Sequence, residues 1–154
     1  EYPSYTALFK IKNWTSSKKT PFRVVYYQIN TNKGTIPYYY YGNIAAEPLE
    51  AEKIRIAAVS CSNHNHSFTK KYMPFDETTI WFPHTDITKG IEKRQPDIIL
   101  HLGDQFYEGN PTSCDKTGKW TSYIDYLYHW SMWCRAYADL SRHIPTVMIV
   151  DDHD

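Results

Sequence analysis

The sequence predicts a chain of two parts: an α/β region over residues 49–154, built on short parallel strands with helices, and before it, over residues 1–48, part of an antiparallel β-sandwich. Three observations carry this. The first forty residues hold strand-like runs with no helical pattern among them. Three later apolar runs alternate with helical stretches, which is the rhythm of a parallel sheet. Each of those runs ends in residues that bind metals well.

Runs at 5–11, 22–29 and 36–41 are rich in Tyr, Val, Phe and Thr, and Pro21 suits a strand's start or edge. The signal Asn32-Lys33-Gly34 predicts a turn between the last two. About three strands make a poor two-layer core, so earlier strands are expected to belong to this module. Residues 42–53, with Pro48 and several ionisable side chains, read as a linker.

Residues 54–59 predict a short buried strand that stops at Ser60-Cys61-Ser62-Asn63, and a weak helical pattern occupies 86–95. Ile98-Ile99-Leu100-His101-Leu102 predicts a strand buried on both faces, because a half-exposed strand would alternate. Gly103 ends it with a sharp turn that carries Asp104 past the carboxyl edge of the sheet, where open α/β sheets hold ligands. A helix is expected from Thr121, a candidate cap, with Ile124, Leu127, Trp130, Cys134, Tyr137 and Leu140 on one face until Pro145 breaks it. The strand at 146–150 runs straight into Asp151-Asp152-His153-Asp154. Parallel strands place Cys61, then Asp104 with Tyr107, then Asp152 and His153 on one rim.

The formal net charge is zero, which provides no global field for nucleic acid or an anionic membrane. No apolar run approaches the roughly 20 residues of a membrane span, and Glu1-Tyr2-Pro3-Ser4 lacks the features of a signal peptide. Of three cysteines, Cys114 and Cys134 are the expected disulfide in an oxidising compartment, with Cys61 alone. Asn13-Trp14-Thr15 and Asn65-His66-Ser67 are glycosylation sequons. His64, His66 and the lysine pairs 18–19 and 70–71 are expected in solvated segments, Asp151 as a turn-capping support, and His101 as a satisfied core residue or one that supports a ligand.

Such a rim holds the parts of a two-metal hydrolase, in which two cations share one carboxylate, hold a phosphate and turn a bound water into hydroxide. Asp104 is the expected bridge. The Tyr107 phenolate and Cys61 thiolate favour an oxidised or borderline-soft ion, and Asp152 a divalent ion such as calcium, zinc or manganese. His153 is placed to hold the phosphate or protonate the leaving group. The catalytic pair is therefore His153 with Asp104.

These residues carry a resemblance. Gly103-Asp104-Gln105-Phe106-Tyr107 resembles the Gly-Asp-x-x-Tyr motif of purple acid phosphatases and PhoD-like alkaline phosphatases, in the calcineurin-like metallophosphoesterase superfamily. Asp151-Asp152-His153-Asp154 is similar to the Asp-Asp-His-Glu of PhoD-like enzymes, and Ser60-Cys61 to their cysteine-bearing strand end. A purple acid phosphatase would instead read Gly-Asn-His at the third motif. The resemblance implies an immunoglobulin-like or fibronectin-like domain over 1–48 and the N-terminal half of a metallophosphoesterase domain over 49–154. It further implies ferric iron on Cys61, Asp104 and Tyr107, and a second ion, often calcium, on Asp104 and Asp152. The implied activity is hydrolysis of phosphomonoesters or phosphodiesters, on a small molecule or a phospholipid headgroup, by a secreted, periplasmic or cell-surface protein. The family's later histidine-bearing loops fall beyond residue 154, so the resemblance implies that these residues alone are inactive, and Asp154 replaces the family's glutamate. The competing reading is an extracellular binding module with a degenerate phosphoesterase domain.

Overall fold

The computed structural model describes residues 7–14, 17–30, 34–63, 82–109 and 117–154. In chain order they form β1 (Thr20–Asn30), β2 (Gly34–Ile44), β3 (Ile56–Val59), α1 (Thr85–Arg94), β4 (Ile98–Leu102), α2 (Lys119–Ser141) and β5 (Thr146–Ile149). The class is mixed α/β, with one antiparallel two-stranded sheet and one parallel three-stranded sheet in the order β3-β4-β5. Residues 64–81, and with them His64, His66, the second sequon and the lysine pair 70–71, lie outside the described residues, as do Cys114 and the turn residues 31–33.

β1 and β2 pair along their whole length, from Thr20 opposite Ile44 to Asn30 opposite Gly34. The run expected at 5–11 differs: residues 7–11 are exposed and carry no strand, and among the described residues no partner strand lies beside them to take their backbone groups. The described sandwich portion is therefore a two-stranded ribbon, not three strands. β2 also extends to Ile44, which moves the start of the connecting segment three residues into the expected linker. Where the ribbon meets α2, Gly42 has no room for a side chain, since a Cβ there would lie 2.3 Å from the Arg142 carbonyl oxygen. This approach lets the Asn43 amide donate to that carbonyl at 2.8 Å and the Tyr40 hydroxyl donate to the Ala138 carbonyl at 3.1 Å.

In the parallel sheet Ala57 pairs with Ile99 and Val59 with His101, and this face carries the core. Ile99, Trp133, Tyr137 and Leu140 form its centre, with Ile91 of α1 packed against them. Burial along β4 alternates, Ile99 and His101 buried and Leu102 exposed, so the expectation of a strand covered on both sides is overturned. The helices supply apolar partners to one face, and Ile56, Leu102, Val147 and Ile149 on the other remain open among the described residues. Asp97 braces the entrance to β4: its carboxylate accepts from the Arg55 amide at 2.8 Å, and its own amide donates to the Arg55 carbonyl at 2.9 Å.

The buried stripe of α2 is His129, Met132, Trp133, Tyr137 and Leu140, not the expected set, since Ile124 and Cys134 are exposed. Thr121 is not the cap. Gly118 holds that position, and the Thr121 and Ser122 hydroxyls donate back to its carbonyl at 2.9 Å each. Cys61 and Cys134 are free thiols.

Candidate metal centre

The rim is set by three strand ends that point the same way. At the end of β3 the Cys61 amide donates to the Gly103 carbonyl at 3.3 Å and the Ser62 amide to the Asp104 carbonyl at 2.8 Å, which ties the first two loops together. Cys61 and Asp104 both have left-handed backbones, φ 57° and 51°, a costly arrangement for a cysteine that these bonds hold in place. Gly103, at φ 92°, serves two needs. It makes the turn, and it lets the third loop approach, because a Cβ there would fall 2.5 Å from the Asp151 Cβ.

The loop after β4 is anchored by Phe106, fully buried with its ring 5.1 Å from Tyr126 and 5.2 Å from Trp130 on α2. It is cross-braced to the loop after β5. The Gln105 side-chain amide donates to the Ile149 carbonyl at 2.7 Å, and the Gln105 backbone amide donates to Asp154 Oδ1 at 2.7 Å. The other Asp154 oxygen accepts from the Asp151 amide at 3.1 Å. Asp151 in turn caps the Asp152 amide through Oδ1 at 3.0 Å, the supporting role expected of it.

These braces bring Asp104, Asp152 and His153 together: one ligand atom from each lies within 4.8 Å of the others. Asp104 is only 8% exposed, whereas the Asp152 side chain is 80% exposed and His153 half-buried. Cys61 and Tyr107 meet the same Asp104 carboxylate, the thiol donating to Oδ2 from 3.6 Å and the phenol from 2.9 Å. All five residues placed on the rim by sequence thus converge around Asp104, although Cys61 stands outside the Asp104, Asp152 and His153 group. Burial pushes the Tyr107 phenol far above its ordinary value, and its bonds to Cys61 and Asp104 add to this.

Asp104 Oδ1 is buried and has no hydrogen-bond partner among the described residues. A buried carboxylate oxygen left without a partner is expensive, and a cation resolves that cost directly. Carboxylates, an imidazole, a phenol and a thiol together form a set that a metal ion fits.

Glu108 joins the site as a residue that the sequence does not single out. Its carboxylate lies 2.7 Å from His153 Nδ1, and this bond raises the imidazole above its ordinary value against the opposing effect of burial. The pairing fixes the ring and leaves Nε2 turned to the site side, 3.9 Å from Asp152. The Tyr107 ring packs on the same imidazole at 4.4 Å. The only sequence signal for Glu108 is its position directly after Tyr107 in the motif loop. His101 is core, 2% exposed and edge-on to Trp133 and Tyr137 at 4.8 Å each, but it is not satisfied: Nε2 has no partner among the described residues. Its burial lowers it to about 4.

No family model matches the chain, and neither a curated protein nor a solved structure does.

Proposed function

We propose that this rim would hold two cations through Cys61, Asp104, Tyr107 and Asp152, and that the full-length protein hydrolyses phosphate esters in the manner of PhoD-like alkaline phosphatases. The observation that carries the reading is the buried Asp104 carboxylate, reached on Oδ2 by Cys61 and Tyr107 and neighboured by Asp152 and His153. Cys61, Asp104 and Tyr107 would hold ferric iron, because thiolate and phenolate favour an oxidised, softer ion. Asp104 and Asp152 would hold the second ion, calcium or alternatively zinc or manganese. When bound, such a pair supplies charge neutralisation for the phosphoryl group and a nucleophile at neutral pH.

The chain's own residues do the rest. His153, oriented through Nδ1 by Glu108, gives a proton from Nε2 to the departing alcohol oxygen as the oxygen of a water that has lost a proton to solvent joins phosphorus and the ester P–O bond breaks, and a solvent proton then restores His153. Gln105 and Asp154 keep the two loops in register while this happens. The substrates are phosphomonoesters or phosphodiesters of small molecules or lipid headgroups. Secretion and an immunoglobulin-like identity for the first module belong to the same proposal, and the ribbon's tyrosines, exposed on both faces, support its membership of a larger β-module. Among the described residues no helix is long and apolar enough to cross a membrane.

The test is release of phenolate from a chromogenic phosphomonoester and a diester by the metal-loaded full-length protein, since the resemblance implies that residues 1–154 alone are inactive. Metal-dependent turnover of either, reduced about a hundredfold or more by Asp104→Asn and by His153→Ala, supports the reading; no turnover of either ester with iron, calcium, zinc or manganese contradicts it.

A further inference from the structure

At Asp152 and His153 lies an open surface cleft of about 400 Å³, a size that admits a small organic ligand. Glu108, Asp152, His153 and Asp154 line it from the rim, and the start of α2 lines it through Lys119, Ser122, Tyr123 and Tyr126. Those four stand at i, i+3, i+4 and i+7, so they form one stripe of the helix. Farther along α2 the neighbouring positions are core, but here the stripe turns polar and aromatic and faces the rim instead. Both rings are braced: Tyr126 meets buried Phe106 edge-on at 5.1 Å, and Tyr123 stacks on Trp120 at 6.2 Å. A ring held this way loses little freedom on receiving a flat ligand. Lys119 is the one lysine or arginine among the described lining residues, and it offsets part of the repulsion that the carboxylates of Glu108, Asp152 and Asp154 present to a phosphate ester.

We infer that this cleft is the leaving-group subsite, and that it selects small phosphate esters whose alcohol carries an aromatic or heteroaromatic ring. The inference rests on the phosphate-ester reading above. The phosphoryl group lies toward Asp152 and His153, the ring against Tyr123 and Tyr126, and Lys119 balances the ester's negative charge. Tyr123 and Tyr126 are then specificity-determining residues.

Binding of phenylphosphonate and methylphosphonate, which are not hydrolysed, to the metal-loaded protein by titration calorimetry tests this without reliance on turnover. The expected result is a preference for phenylphosphonate of about tenfold, the size of one good aromatic contact. Tyr123→Ala reduces that preference to about twofold and leaves methylphosphonate affinity unchanged, while Lys119→Ala weakens both ligands alike. Equal affinity for the two phosphonates in the unaltered protein, or an undiminished preference in Tyr123→Ala and Tyr123→Leu, overturns the subsite and leaves the phosphate-ester reading standing. Failure of both phosphonates to bind the metal-loaded protein overturns both.

Discussion

Asp154 illustrates how much of the rim depends on side chains that touch no ligand. Its two oxygens accept from the amides of Gln105 and Asp151, one on each of the loops that carry Asp104 and Asp152. Asp154→Ala leaves those amides without their acceptor and is expected to cost about 1–2 kcal/mol, since the group is only half-buried. The urea midpoint measures the loss, and Asp154→Asn, which keeps one acceptor oxygen, should lose less. His101 gives a separate signature. Its pKa falls from the ordinary 6.5 to about 4 in the folded chain, so the unfolded state binds the extra proton first as pH falls. Its contribution to stability is complete above pH 6.5, declines between 6.5 and 4, and is lost below, by about 3 kcal/mol in all. Denaturation of the native chain and His101→Phe across this range should show the steeper pH slope only in the native chain.

At the level of elements, the parallel strands were legible because short apolar runs bounded by Pro96, Gly103 and Pro145 have few alternatives. The buried stripe of α2 was not, and the reason is composition: Tyr123, Ile124, Tyr126, Leu127, Tyr128 and Trp130 place large rings and aliphatics on several sides, so periodicity alone selects no unique face. Packing against Ile99 and His101 decides it. Trp133→Ala should therefore cost about 3–5 kcal/mol, while Ile124→Ala, 45% exposed, should cost under about 1 kcal/mol. Thermal unfolding of the two variants distinguishes the observed stripe from the one periodicity suggests. The strand expected at 5–11 failed for a similar reason, because β-propensity describes a surface that fits a neighbour, and residues 7–11 have none among those described.

Across the whole molecule, one topological fact gathers the candidate site: three parallel strands release their chain on the same edge, so residues 61, 104 and 152 meet despite their separation in sequence. Cys61, Asp104, Tyr107, Asp152 and His153 could be read from sequence because each follows a strand end directly. Gln105, Glu108 and Asp154 could not be given their roles, since those roles exist only where two loops pack against one another. The most direct measurement is metal content by elemental analysis of the native protein and of Asp104→Asn, with circular dichroism to confirm that both are folded. Iron together with a second divalent ion in the native protein, both lost in folded Asp104→Asn, is the expected result; a native protein that retains no metal, or a variant that retains as much, contradicts it.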